Sequence, residues 1–421
     1  MVASTDIKFY VHTNNNAPQL QNAYGSMINV LDACLVNGIS VGTVSSLTVS
    51  GRTVTALFST SHNLMQYQVI KITGAAPTEF NGEHRILTVP NAQSITFELE
   101  ATPSATTATG TITASLPPLG WERPFNSANA TGGGKAAYRS ANVLLPIRPF
   151  LRVVDELDPS WTATYAKYAK VAIVEDMTDI DTMLGVQVPF DPALPEKNWV
   201  GTGSGTSAYN GWAKWHYAKN GSNSSANAAS ATPTNGNREW IVIGNGDYFY
   251  ILNNCHTSGT YLTTYGFGSF ESFLNVDNSN VFLAADINYE AASSGFYPSN
   301  ILGGSLASSM LRIFRNYKGE TSATSTTCGS INPTSQTIYS GANDRLAPVA
   351  TMGYVCFSDV FFVEPGSILR GRVPGLYWLF QNQPLANKTL FEKNGELYIA
   401  QHIAYSSSQC MILLKIGEIH D

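Results

Sequence analysis

Charge is what this 421-residue chain has least of: Asp, Glu, Lys and Arg together make up 13% of it, about half the share in an average soluble domain. A long coiled coil needs Glu and Lys along its flanks and is therefore excluded. Charge-driven disorder is excluded too, because aromatic residues reach 11%. No apolar run approaches the roughly 20 residues of a membrane-spanning helix. The N-terminus has neither the basic nor the apolar region of a secretion signal, so export by a signal of its own is not expected. The formal net charge is −6 and the 24 basic residues are scattered. A face that grips phosphates needs them clustered, so sequence-specific nucleic-acid binding is not expected. The five cysteines (Cys34, Cys255, Cys328, Cys356 and Cys410) are odd in number, far apart and without a C-x-x-C pair. They read as buried thiols of a protein made in a reducing compartment, not as a metal or redox site.

What is present is polarity without charge. Ser, Thr and Asn are abundant, alongside 35 Gly and 20 Pro. That combination describes a turn-rich, mainly β protein. The clearest helix signal is at residues 18–36, where Leu20, Ala23, Met27, Leu31 and Leu35 recur at helical spacing between Pro18 and an Asn37-Gly38 stop. Residues 1–43 thus supply an N-terminal strand and helix of a larger body.

From residue 44 to 115 the texture changes to short runs that alternate apolar and polar, at 44–49, 54–58, 67–72, 85–89, 95–99 and 109–114. Turn residues separate them at strand-like intervals, which predicts a small β-sandwich or barrel inserted into the larger domain. The body resumes over 116–200 and 238–421. Two hairpins are marked there, one around Gly244-Asn245-Gly246-Asp247 and one around Asn394-Gly395. Between the two parts lies 201–237, a Gly/Ser/Asn-rich loop with no apolar periodicity outside one aromatic island.

Four constellations invite a chemical reading. Gly132-Gly133-Gly134-Lys135 lacks the Ser or Thr of a phosphate-binding loop, since Ala136 follows, and reads as a plain loop. Asp155, Glu156, Asp158, Glu175, Asp176, Asp179, Asp181 and Asp191 form the densest carboxylate region. Paired carboxylates serve glycoside hydrolysis, but solvated charge at strand ends is the stronger reading. The seven histidines include no H-x-x-x-H pair. Tyr209, Trp212, Trp215 and Tyr217 form the aromatic island, either a glycan- or partner-contacting surface or an anchor to the protein's own body. No residue is assigned as catalytic, metal-binding or cofactor-binding.

Several runs resemble stretches of virion structural proteins of tailed bacteriophages. They are Ile7-Lys8-Phe9-Tyr10, the segment from Met27 through Asp32 to Gly38, Gly120-Trp121-Glu122-Arg123-Pro124-Phe125, Lys135-Ala136-Ala137-Tyr138-Arg139-Ser140, Leu151-Arg152-Val153-Val154-Asp155 and Met177-Thr178-Asp179-Ile180-Asp181. Leu369-Arg370-Gly371-Arg372-Val373-Pro374-Gly375-Leu376-Tyr377 is similar to a further stretch. The 44–115 module resembles the small Ig-like β-sandwiches of phage tail and adhesin-like proteins, with His62-Asn63-Leu64 and Phe80-Asn81-Gly82 at its turns. The resemblance implies a non-enzymatic, tail-associated part of a virion, made in the host bacterial cytoplasm. Its partners would be copies of itself and other virion proteins, and it would need no cofactor. Capsid decoration and binding of a host surface glycan are the alternatives.

Overall fold

The computed structural model describes residues 3–159, 161–201, 211–219, 232–257, 262–287, 311–321, 326–331, 355–380, 383–405 and 408–419. The chain is mainly β, built from antiparallel strands in three sheets. Among the described residues no helix is long and apolar enough to cross a membrane.

The first sheet contains Ile39–Ser50, Thr53–Phe58, Val69–Thr73, Gly82–Arg85, Thr88–Asn91, Ser94–Glu98 and Thr113–Leu116. Val54, Ala56 and Phe58 point inward while Thr53, Thr55 and Leu57 face water, so the strand buries one face at period two. Ile39–Ser50 does two jobs. Its first half pairs with Thr113–Leu116 and its second with Thr53–Phe58, with register shifts near Gly42 and Val44. A strand shared in this way folds a sheet back on itself and closes a core between two layers. The sheet starts at Ile39 instead of residue 44 because Ile39 and Ser40 pair with Leu116 and Ser115.

The second sheet runs in the order Asp286–Ile287, Ala213–His216, Tyr168–Met177, Phe150–Glu156, Gly133–Ser140, Trp121–Ala128, with Met183–Val188 also on Tyr168–Met177. The Gly132–Lys135 stretch expected as a loop is thus a turn that opens a strand. The strand predicted from residue 142 begins only at Phe150, just past Pro149, because a proline carries no N–H for the ladder.

The third sheet has thirteen strands, from Lys8–Val11 at one edge through Trp240–Gly244, Tyr248–Asn253 and Thr263–Ser269 to Ile368–Leu379, Ser408–Glu418, Glu396–Tyr405 and Leu390–Lys393. Both marked hairpins are formed. Asn394 at φ 57° and Gly395 at φ 79° give the left-handed pair that a tight two-residue turn needs.

The helix is shorter than its spacing suggested. Regular helix covers Ser26–Leu31 and widens into a π-helical stretch, Asp32–Asn37, ended by Gly38 at φ 77°. Residues 18–25 are held elsewhere: Leu20 bridges to Arg238, and Trp240 Nε1 donates to Pro18 O at 3.0 Å. Gly25 adopts φ 86° where a Cβ would lie 2.9 Å from Gly133 Cα, so the turn into the helix admits only glycine. Cys34, Cys255 and Cys328 are buried free thiols, as expected, whereas Cys356 is half-exposed; the Cys410 side chain lies outside the described residues.

Candidate functional site

The short helix is the hub of the second sheet. Asp32 accepts hydrogen bonds from Arg123 and, at 2.7 Å, from Tyr138 Oη. Asp155, fully buried on the neighbouring strand, accepts the Met27 N–H at 3.0 Å and the Tyr217 hydroxyl at 2.8 Å. A carboxylate at this end satisfies amides that the first helical turn leaves unpaired. Burial nevertheless pushes the Asp155 carboxyl up to about 7, against the opposing pull of those hydrogen bonds.

The aromatic island is where the structure departs most from a surface-loop reading. Tyr209 lies outside the described residues. Trp212, Trp215 and Tyr217 are all buried, and Ala213–His216 is a strand between Tyr168–Met177 and Asp286–Ile287. Trp215 donates to Ala284 O at 2.9 Å and stacks on Tyr265, with Phe249 edge-on. A sugar ring has no free aromatic face here. The chain uses these three rings to anchor the segment to its own body. The signal was present: in Ala213-Lys214-Trp215-His216-Tyr217 large apolar and polar side chains alternate, which is strand periodicity.

The other face of the same strand carries a buried polar layer that sequence reasoning missed. Lys170 sits opposite Lys214 and Tyr168 opposite His216, while Lys214 is also opposite Asp286. Lys170 Nζ bonds Asp158 Oδ2 at 3.1 Å and Trp199 O at 2.6 Å. Lys214 Nζ lies 4.9 Å from the centre of the Tyr168 ring, and His216 Nδ1 lies 3.4 Å from Asp286 Oδ2. Burial pulls Lys214 down to about 8 and, together with Lys214, pulls Lys167 down to about 7; it pushes Asp286 up to about 6. These groups exchange protons near neutral pH, the range in which acid–base chemistry operates.

The eight nominated carboxylates divide. Asp155 and Asp158 are buried, which overturns the solvated reading for both. The rest are exposed or half-exposed and engaged locally: Glu175 with Arg315, Asp181 with Lys135 and Arg152, Glu156 with Lys135, and Asp176, Asp179 and Asp191 with nearby backbone amides. A separate cleft of about 450 Å³ opens beside Ala3 and Thr5, lined by Glu79, Glu83, Glu98, Glu100 and His84. Lys8 lies 3.2 Å from Glu83 there. No group of three or more metal-ligating side chains occurs among the described residues.

No protein-family model matches this chain, and no curated protein matches it. Among solved structures it is similar to the phage phi92 endosialidase, at a TM-score of 0.17 and 13% identity over 90% of this chain and 51% of that one. The chain spans about half the length of the structure it matches. That protein is an enzyme by name, so the expectation that this chain is not an enzyme is withdrawn. A likeness this loose transfers neither residue roles nor substrate.

Proposed function

We propose that this chain is a structural protein of a tailed-phage particle, tail-associated and working through contacts with copies of itself. One observation carries the reading: the scattered runs that resemble virion proteins come together around the helix. Arg123 and Tyr138 meet on Asp32, Asp155 receives the Met27 amide, and Lys135 reaches Asp181 at 2.8 Å. Tyr10 Oη donates to Pro117 O, and the Leu119 amide to Cys34 O. Segments from residues 7 to 181 therefore behave as one packed unit and not as independent coincidences. The run from Leu369 to Tyr377 lies in the third sheet, where Tyr250 Oη donates to Pro374 O. A glycan-binding role through Trp212, Trp215 and Tyr217 is not carried forward, since their rings are buried.

The test is mass spectrometry and antibody labelling of density-purified particles from the source phage. The expected result is this chain at many copies per particle, labelled on the tail. Absence from purified particles overturns the reading, and labelling across the head moves the protein to capsid decoration.

A further inference from the structure

The strand pair Phe357–Glu364 and Ile368–Leu379, with the short strand Glu271–Ser272 on its side, has two unlike faces. Inward go Val360, Phe362, Glu364, Arg370 and Val373, all buried. Arg370 ties this side down: its guanidinium meets Asp277 at 2.8 Å through both Nε and Nη2 and also bonds Glu364. Outward go Phe361, Val363 and Leu369, flanked by Phe273, whose ring centre lies 5.9 Å from that of Phe361. Leu369 is 45% exposed, Phe273 41%, and Val276, on the loop fixed by Asp277, 86%. Tyr317, bonded through its amide to Glu364, adds a further exposed ring at the margin.

We infer that this outward face is a contact between two copies of the chain. Its exposed apolar area is on the order of 500 Å², in the range of the largest patches on monomers, which are often functional. With its polar rim it approaches the roughly 800 Å² per partner of a specific interface. Rigidity supports the same conclusion, because buried ion pairs hold the Phe273–Asp277 loop and little ordering cost remains for binding.

Charge selects the occupant. A face that meets its own copy must carry both signs, and the exposed cluster here does: Arg372 lies 3.5 Å from Glu271 and 3.4 Å from Asp359. Two such faces apposed place each arginine within reach of the other copy's carboxylates, as an isologous contact requires. A face of one sign would instead select an oppositely charged ligand and repel its own copy.

This inference rests on the proposed function only for self-association, and the two fail separately. Sedimentation velocity of the purified full chain across a micromolar concentration series reads the interface directly. The expected result is a concentration-dependent dimer or higher assembly that Leu369→Lys and Val276→Lys each weaken at least tenfold. Leu144→Lys, at an 88% exposed position on another loop, is expected to leave it unchanged. Circular dichroism of each variant guards against unfolding. A wild-type chain that stays monomeric throughout overturns the inference even if the protein is found in particles. Undiminished association of the folded Leu369→Lys and Val276→Lys variants overturns it as well.

Discussion

Along Thr53–Phe58 in the first sheet, burial switches residue by residue, whereas Tyr168–Met177 in the second stays buried through seven consecutive positions. The first strand has water on one face, so its polar residues cost nothing to place. The second has no solvent face over that stretch, yet Lys170 lies inside it. A charge in that position must be paired or give up its proton. The same backbone architecture therefore assigns opposite costs to the same kind of residue, and four substitutions separate the two cases.

The largest effect is expected for Asp158→Ala. The Lys170–Asp158 pair is almost fully buried, with side chains 5% and 1% exposed. Removing one partner strands the other charge, and such losses run to about 3–5 kcal/mol. Urea denaturation checks the value, and a loss below about 1 kcal/mol would mean that water reaches this layer.

Arg85→Met tests how the first sheet is held to the rest. The Arg85 guanidinium leaves its own strand to donate to Ser4 O, Ile7 O and Ile416 O as well as to Tyr67 O. Burial pulls it down to about 10. Methionine fills the space but leaves those carbonyls without a donor, at a cost of about 2–4 kcal/mol. Calorimetry is expected to show the 39–116 sheet melting apart from the rest. A single transition at the wild-type midpoint would show that Gln68, through Phe9 O and Asn14, is tie enough.

These two sites also mark how far the sequence could be read. Alternation exposed the first sheet because each of its strands has a wet and a dry face, and the Asn394-Gly395 turn was legible from local backbone preference. Arg85 was not legible: its partners lie 78 to 331 residues away, and no local pattern announces a backbone carbonyl. Lys170 and Lys214 read as ordinary surface charge because two-sided burial erases the periodicity that would place them. The helix was overextended to residue 18 since Leu20 has helical spacing but spends its backbone on Arg238. Tertiary contact overrode a correct local signal.

Asp155→Asn is expected to act through pH. The folded carboxyl, pushed up to about 7 by burial, binds its proton more tightly than in an unfolded chain, where the value is about 3.9. Its contribution to stability is complete below that lower value and is lost as pH rises through 7. Tyr217 and the helix amides face the group, and Tyr24 lies within electrostatic range. Lys167 and Lys214 titrate with the opposite sign but are shared by both proteins, so the difference between wild type and variant isolates Asp155. The melting temperature of the wild type relative to the variant is expected to fall between pH 5 and pH 8. A constant difference would place Asp155 in contact with solvent.

The smallest effect is expected for Arg52→Ala, on the wet face of the first sheet. Arg52 lies 3.7 Å from Glu98, with the two side chains 39% and 21% exposed, and donates to Glu100 O at 3.2 Å. Its charge keeps most of its hydration in the folded chain, so pairing with Glu98 gains little. Holding the long side chain in one geometry offsets part of that gain, leaving about 0.5 kcal/mol or less. Added salt should remove even this remainder, because exposed charges are screened within about 10 Å at 0.1 M. Urea denaturation at low and high salt measures both. A loss approaching that of Asp158→Ala, insensitive to salt, would mean that this face is covered in the folded chain, and the contrast between one-faced and two-faced burial would collapse.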